Sequence, residues 1–369
     1  MSGRRGSAPL RVAVVGLGWA GRNIWLQRLR AHRAYEVVAL VEPDPVLRAS
    51  VAREAGGTAV YASTDRLAAD SVDLAIVAVP NHLHAPVAGR VLAAGIPVFL
   101  EKPLCLSSAE VDQLAAAEAA GGAVLLGGSA ACYRADVTAL RELTASLGEI
   151  RHAELFWRRA RGVPAGAGWF TSRQLAGGGA LVDLGWHLLD VARLLLGRQV
   201  FEQVVGAVSA DFVNGRSFRA AWREDDPADG PGGDVEDTAH GFMVTADGLS
   251  VALRASWASH EALDSTVFRI EGSEGAAELR CTFGFSPNRV EGSSLTHTVG
   301  GVAGPAEAPA EPIGAEYDRQ LDAVPALLTD PAGRGRAVED ARWAIDVIER
   351  IYASAALAQA GRPLSSVSR

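Results

Sequence analysis

Lysine is nearly missing from this chain. Among 369 residues there is one, Lys102, against 34 arginines. Arginine cannot replace lysine where a compact ammonium or an adjustable pKa is needed. The position that keeps the lone lysine is therefore a candidate for chemistry. Cysteine is scarce too: Cys105, Cys132 and Cys281 are far apart and odd in number. That excludes a disulfide framework and a Cys-rich zinc site, and it fits a reducing compartment. No apolar run reaches the ~18 residues needed to span a bilayer. The twin arginine Arg4-Arg5 has no signal-type apolar segment after it, because the next apolar run, Val12–Val15, leads into a glycine loop. The expectation is a cytoplasmic protein. The eight histidines show no ligand spacing with cysteines or acids, so no metal site is expected. Net charge is −8, which makes the chain a poor nonspecific binder of nucleic acid or of an anionic membrane unless it carries a local basic patch.

What is present is ordinary in bulk: 49% hydrophobic and 21% charged residues exclude global disorder. At about 100–200 residues per domain, the length implies two domains. Up to about residue 126, short apolar runs (Arg11–Val15, Val37–Val41, Leu74–Val79, Pro97–Leu100, Val124–Leu126) alternate with stretches long enough for helices. That rhythm predicts a doubly wound parallel sheet, an α/β domain over residues 1–130. Residues 131–369 change rhythm. Strand-like runs follow one another with hairpin separators such as Ala246-Asp247-Gly248, which predicts an α+β domain with a large, mostly antiparallel open sheet. The stretches Asp225–Asp234 and Gly300–Gly314 read as loose, and a helix is expected near Val338–Ala360.

The first strand runs into Gly16-Leu17-Gly18-Trp19-Ala20-Gly21 and then a helix. This is G-x-G-x-x-G in the context it needs: a tight turn, a close approach for a pyrophosphate and a helix packed on its strand. The second strand ends at Glu42, 21 residues past Gly21. An acid there binds ribose hydroxyls, which favours NAD over NADP. Arg48 nearby could still accept a 2′-phosphate.

Two further strands end on the same edge, in Pro80-Asn81-His82-Leu83-His84 and in Glu101-Lys102-Pro103. Carboxyl ends of parallel strands are where open α/β sheets place ligands. Asn81 and His84 are thus candidates for the nicotinamide side of a cofactor. A second motif runs Gly177-Gly178-Gly179-x-x-x-Asp183-x-x-x-His187-x-x-Asp190. Its i, i+4, i+7 spacing puts the three polar residues on one face of a helix expected at 180–196. An aspartate one turn before a histidine can orient the imidazole. The triple glycine permits close approach of a ligand or another chain segment.

Taken in order, these motifs resemble the Gfo/Idh/MocA family, the glucose–fructose oxidoreductase and inositol dehydrogenase group, over nearly the whole chain. The resemblance implies a nicotinamide-dependent oxidoreductase acting on a sugar or cyclitol. It implies a homodimer or homotetramer formed through the outer face of the C-terminal sheet. It places the family's catalytic lysine, aspartate and histidine on Lys102, Asp183 and His187. Cofactor-binding residues fall on Gly16, Gly18, Trp19, Ala20, Gly21, Glu42, Pro80, Asn81, His84, Glu101 and Lys102. Where the family often has Asn and then Arg-Phe, this chain has Ser129 and Tyr133, and the arginine is missing.

The expected reaction is hydride transfer between a ring carbinol and NAD. In it His187 is the base, Asp183 an orienting acid and Lys102 the donor to the reacting oxygen. Tyr133 and Trp169 are candidates for substrate contact. For Trp169, core packing is an equal alternative. The acids Glu224, Asp225, Asp226, Asp229, Asp234, Glu236 and Asp237 read as a solvated loop, or as a lure for a cationic aminosugar. Trp157, Arg159 and Arg161 read as an exposed strand edge, with phosphate binding by the arginines as the alternative. Three rival functions share the fold: an NADPH-dependent ketosugar reductase, a hydrolase or lyase that recycles NAD internally, and an NAD-binding regulator without turnover.

Overall fold

The computed structural model describes residues 8–164, 168–221 and 232–360. Short runs that are apolar on both sides form β1 (Leu10–Val15), β2 (Tyr35–Val41), β3 (Ala59–Tyr61), β4 (Leu74–Val77), β5 (Val98–Leu100) and β6 (Leu125–Gly127). They pair in parallel in the order β3-β2-β1-β4-β5-β6. Val12, Val14, Leu74, Ile76 and Leu100 are wholly buried, as strands covered on both faces require. This strand order reverses between β1 and β4, and ligands of such sheets bind outside the carboxyl ends at that point. Helix starts follow from local chemistry. Asp44 accepts from the Leu47 amide, with Pro45 opening helix Pro45–Glu54. Ser107 accepts from the Glu110 amide at the start of Ser108–Gly121.

The chain divides into two compact units: residues up to Gly128 together with Tyr317–Arg342, and Ser129–Glu316 together with the residues from Trp343 on. The sequence reading puts one cut at residue 130. The chain instead returns to the first unit. Buried Glu118 ties the return down: Oε1 accepts the Leu125 amide and Oε2 accepts the Gly335 amide, both at 2.9 Å. The Tyr35 hydroxyl donates to the Leu321 carbonyl in the same unit.

The second unit holds β7 (Ile150–Arg158), β8 (Phe201–Ser209), β9 (Thr238–Thr245), β10 (Ser250–Ser256), β11 (Ser265–Gly272), β12 (Gly275–Cys281), β13 (Ser294–Val299) and β14 (Val302–Ala306). Their order is β14-β13-β12-β11-β7-β10-β9-β8. Every pairing is antiparallel except β7 with β10. Alternation sorts the two faces: Ala153, Leu155 and Trp157 of β7 are buried, while His152, Glu154 and Phe156 are half-exposed. On the accessible face Val205 pairs with Phe242, and they are 61% and 47% exposed. The stretch 300–314, read as loose, contains β14. Gly300 and Gly301 carry φ of +58° and +79° between the paired Val299 and Val302, a hairpin turn that needs glycine at both central positions.

Glu118→Ala removes the acceptor of two main-chain amides. A lost charged acceptor of this kind costs about 1–3 kcal/mol. The expected result is a lower midpoint of denaturant unfolding with an unchanged slope.

Candidate functional site

In the glycine loop, two of the three glycines are demanded by the fold and one is not. Gly16 has φ +86°, and a Cβ there would stand 2.6 Å from the Ala78 carbonyl oxygen. A Cβ on Gly21 would stand 1.9 Å from the Gly16 carbonyl oxygen. Gly18 is exposed, with nothing within 4 Å of an added Cβ. The fold therefore leaves open the position where a pyrophosphate meets the backbone, and the loop fits a dinucleotide. Trp19 and Ala20 are half-buried, and a π-helical segment, Ala20–Leu26, begins at Ala20. Glu42 is buried at the end of β2. Its Oε2 accepts the Leu17 amide at 2.9 Å and its Oε1 the Asp44 amide at 3.0 Å. Each oxygen keeps a lone pair for a ribose hydroxyl, and the negative charge opposes a 2′-phosphate. Arg48 donates from Nη1 to the carbonyls of Glu42 and Pro43, at 2.8 and 2.7 Å.

At the ends of β4 and β5, Pro80 is half-buried and Asn81, opening the short helix Asn81–Leu83, is buried. His84, expected on the nicotinamide side of a cofactor, is packed between two main-chain carbonyls. It is 1% exposed, with Nδ1 2.6 Å from the Pro103 carbonyl and Nε2 2.8 Å from the Val79 carbonyl. Burial lowers its pKa to about 4, against the upward pull of the two carbonyls. His84 is a strut between the end of β4 and the turn after β5. Glu101 is a second strut. Its Oε1 accepts the Trp25 indole N–H at 2.7 Å and its Oε2 accepts the Lys102 amide at 3.0 Å. Burial raises the Glu101 pKa, and the Lys102 charge and the indole bond oppose it. Half-buried Lys102 is thus held by its own main chain, and the Lys102–Pro103 peptide is cis.

In the second unit the triple glycine makes room for protein. A Cβ on Gly178 would stand 2.0 Å from the Tyr352 hydroxyl, and one on Gly179 1.8 Å from the Glu236 carbonyl oxygen. The expected helix opens as a π turn, Leu181–Gly185, before the α-helix Trp186–Leu196. Asp183 sits in the π turn and His187 in the first α turn, both half-buried. Asp190, expected on the same face, is buried at 6% exposure. The Trp257 indole donates to Asp183 Oδ2 at 2.9 Å, and Arg159 Nη1 lies 3.9 Å from the same oxygen. The Arg159 guanidinium stacks over the Trp157 ring at 4.9 Å, and that ring is 5.6 Å from the His187 ring. Asp183, His187, Arg159, Trp157 and Trp257 form one cluster.

Sequence reasoning missed Trp257, and it read Arg159 as an edge residue or a phosphate binder and not as a neighbour of Asp183. The Arg159 side chain is 12% exposed, not at an open edge, whereas Arg161 is exposed as expected. The available signal was its spacing of two from the buried Trp157. Trp169 is half-buried and edge-on to Phe170 at 4.9 Å, and Phe170 lies 6.0 Å from Trp257. An aromatic row thus leads from Trp169 to the partner of Asp183. Tyr133, at the end of the short helix Ala130–Tyr133, is half-buried; burial raises its pKa and Arg193 opposes this. Of the acidic run, Glu224, Asp225, Asp226 and Asp229 lie outside the described residues. Of the other three, Asp234 is exposed, as a solvated loop acid would be, while Glu236 and Asp237 are buried. Asp234 Oδ1 accepts the Arg173 amide at 2.6 Å. Glu236 and Asp237 are 3% and 0% exposed. Glu236 binds the glycine segment, and Asp237 Oδ2 accepts the amides of Phe212 and Val213. Burial raises the pKa of both acids. Among the described residues no helix is long and apolar enough to cross a membrane.

Comparison with known proteins gives two family matches. Residues 10–128 match the oxidoreductase family, NAD-binding Rossmann fold, and residues 137–278 match the GFO/IDH/MocA C-terminal domain. A putative UDP-kanosamine synthase oxidoreductase subunit of Amycolatopsis mediterranei is 57% identical over 350 residues, which is 95% of this chain and 97% of that protein. The D-glucoside 3-dehydrogenase of Escherichia coli is 29% identical over 255 residues, 68% of this chain and 71% of that one. Among solved structures, GenD2 from gentamicin A biosynthesis in complex with NAD is similar, with a TM-score of 0.74 and 26% identity. That match covers 96% of this chain and 97% of GenD2.

The loop geometry separates fold from binding. Gly18→Ala should leave thermal stability unchanged and weaken NAD binding, measured by calorimetry. Gly21→Ala should lower stability by about 1–3 kcal/mol, the usual cost of forcing an atom into packed structure.

Proposed function

The chain belongs to the GFO/IDH/MocA oxidoreductase family, and we propose that it oxidises the C3 hydroxyl of a nucleotide-linked glucose to a ketone, with NAD as the acceptor. The observation that carries the reading is the 57% identity over 95% of the chain with a UDP-kanosamine synthase oxidoreductase subunit. Kanosamine is by its chemistry a glucose with an amine at C3. Placing an amine there requires a ketone at C3 first. A second relative is named for dehydrogenation at the same sugar carbon.

The chain's own residues supply proton handling and charge. The glycine loop and Glu42 would hold NAD, which would supply the hydride acceptor for C3. His187 accepts the hydroxyl proton as the ketone forms. Asp183 is held by Trp257 and faced by Arg159, so it keeps a fixed direction toward His187 or a neighbouring hydroxyl. Lys102, fixed through Glu101, donates to the reacting oxygen and stabilises its developing negative charge. The half-buried rings of Trp169 and Tyr133 offer surfaces for the sugar. The reaction balances as secondary alcohol plus NAD⁺ giving ketone, NADH and a proton. A homo-oligomer formed through the sheet face that carries the exposed Val205 and Phe242 completes this reading and would cover both side chains.

The test is absorbance of reduced nicotinamide with NAD or NADP against UDP-glucose, dTDP-glucose, free glucose and myo-inositol. Reduction of NAD with UDP-glucose is expected, with the ketone at C3 by NMR. No oxidised product from any nucleotide sugar overturns the reading. Lys102→Ala and His187→Ala should each lower turnover by ~10² or more while NAD still binds. Turnover near the parent's in either variant sinks that role. Phe242→Asp should shift the sedimentation mass toward the monomer; an unchanged oligomer excludes this face as the interface.

A further inference from the structure

One residue satisfies three main-chain amides at the start of the helix that carries Asp183 and His187. Glu236 Oε1 accepts the amides of Gly179 and Leu181 at 2.9 and 3.1 Å, and the Glu236 carbonyl accepts the Ala180 amide at 3.1 Å. These are the donors that a helix start leaves without partners of its own. A negative charge at that end also meets the positive end of the helix dipole. The same oxygen accepts the Tyr352 hydroxyl at 2.7 Å, and Arg173 Nη2 lies 3.4 Å from Oε2. Arg173 in turn stacks on the Tyr352 ring at 4.9 Å. Gly178 and Gly179 are glycine because any Cβ would strike Tyr352 or Glu236.

The neighbouring residue grips Asp183 from its other side. The Asp237 carbonyl accepts the Trp257 amide at 2.8 Å, and the Trp257 indole donates to Asp183 at 2.9 Å. Asp237 is itself locked by bonds from Phe212, Val213 and Thr238. The pair Glu236-Asp237 thus holds Asp183 twice: through the main chain of its π turn and through the partner of its carboxylate.

We propose that Glu236 is a positioning residue of the dehydrogenase, setting the π turn so that Asp183 and His187 hold the geometry that hydride transfer needs. This rests on the catalytic reading of Asp183 and His187 given above. Small displacements suffice: a shift of about 1 Å at reacting groups can cost ~10²-fold in rate.

Glu236→Gln keeps the reach and an acceptor oxygen but loses the charge. Glu236→Asp keeps the charge but is one methylene too short to reach the amides. The expected order of turnover per folded molecule is parent, then Gln at least ~10-fold lower, then Asp lower still. NAD affinity should stay at the parent value in both. The isotope effect with substrate deuterated at the reacting carbon should rise in the Gln variant, because the hydride step becomes limiting. A purely structural role would lower stability and leave both turnover per folded molecule and isotope effect unchanged. That result overturns the proposal. Amide hydrogen exchange needs no substrate and keeps the test open if the parent oxidises none of the sugars tried. In Glu236→Gln, exchange over 179–187 should rise ~10-fold or more, the effect of losing about 1.4 kcal/mol of local stability, with the amides of Val12–Val15 unchanged. Parent-like exchange over 179–187 overturns the proposal as well. Absence of turnover in the parent counts against the dehydrogenase reading instead.

Discussion

Carboxylates shielded from water that accept main-chain amides hold the turns that carry the proposed site. Glu42 binds the amide of Leu17 inside the glycine loop, Glu101 binds that of Lys102, and Glu236 binds those of Gly179 and Leu181. Asp264 accepts the Ala160 amide, next to Arg159. A hydrogen bond to an ionised acceptor is roughly twice as strong as one between neutral groups, and it aims the backbone. A rigid backbone is what a short polar side chain such as Asp183 needs in order to point one way.

The device has a cost, and the fold shows where it is offset. Burial disfavours the charged form, which is why Glu101 and Glu236 titrate above the usual carboxylate range. Nearby cations and neutral donors compensate. Lys102 and the Trp25 indole serve Glu101; Arg173 and Tyr352 serve Glu236. The Tyr352 hydroxyl stays protonated because burial and the Glu236 charge both raise its pKa. The acidic composition is therefore partly interior and structural. Reading all of it as solvated surface mistakes a hinge pin for decoration.

Much of the plan was legible in residue order. The glycine loop, the apolar strands and the lone lysine after β5 each follow from a local rule, and the structure places them as those rules require. Asp183, His187 and Asp190 stand out through their spacing, but the π turn that opens the helix and the burial of Asp190 do not show in it. What sequence could not show is partnership across long separations. Glu236 looks like any acid in an acidic run until a triple glycine far upstream folds against it. The two carbonyls that close on the His84 ring, from Pro103 and Val79, are equally invisible in its motif. Arg159 looks exposed until Trp157 and Asp183 meet it. The Gly300-Gly301 hairpin was a local signal that was missed, because glycine-rich composition masked two positive-φ positions between paired valines.

The return of Tyr317–Arg342 to the first unit has a consequence for anyone recombining relatives of this chain. The cofactor-binding unit is discontinuous in the gene. A chimera joined once, near residue 128, would pair the Glu118 of one parent with the Gly335 segment of another. Three junctions are needed, and the later two fall inside the helices Ala315–Thr329 and Arg336–Ala360 rather than in loops. Shuffling at loop boundaries, which serves modular proteins well, will here yield hybrids whose first unit carries a stranger's returning segment.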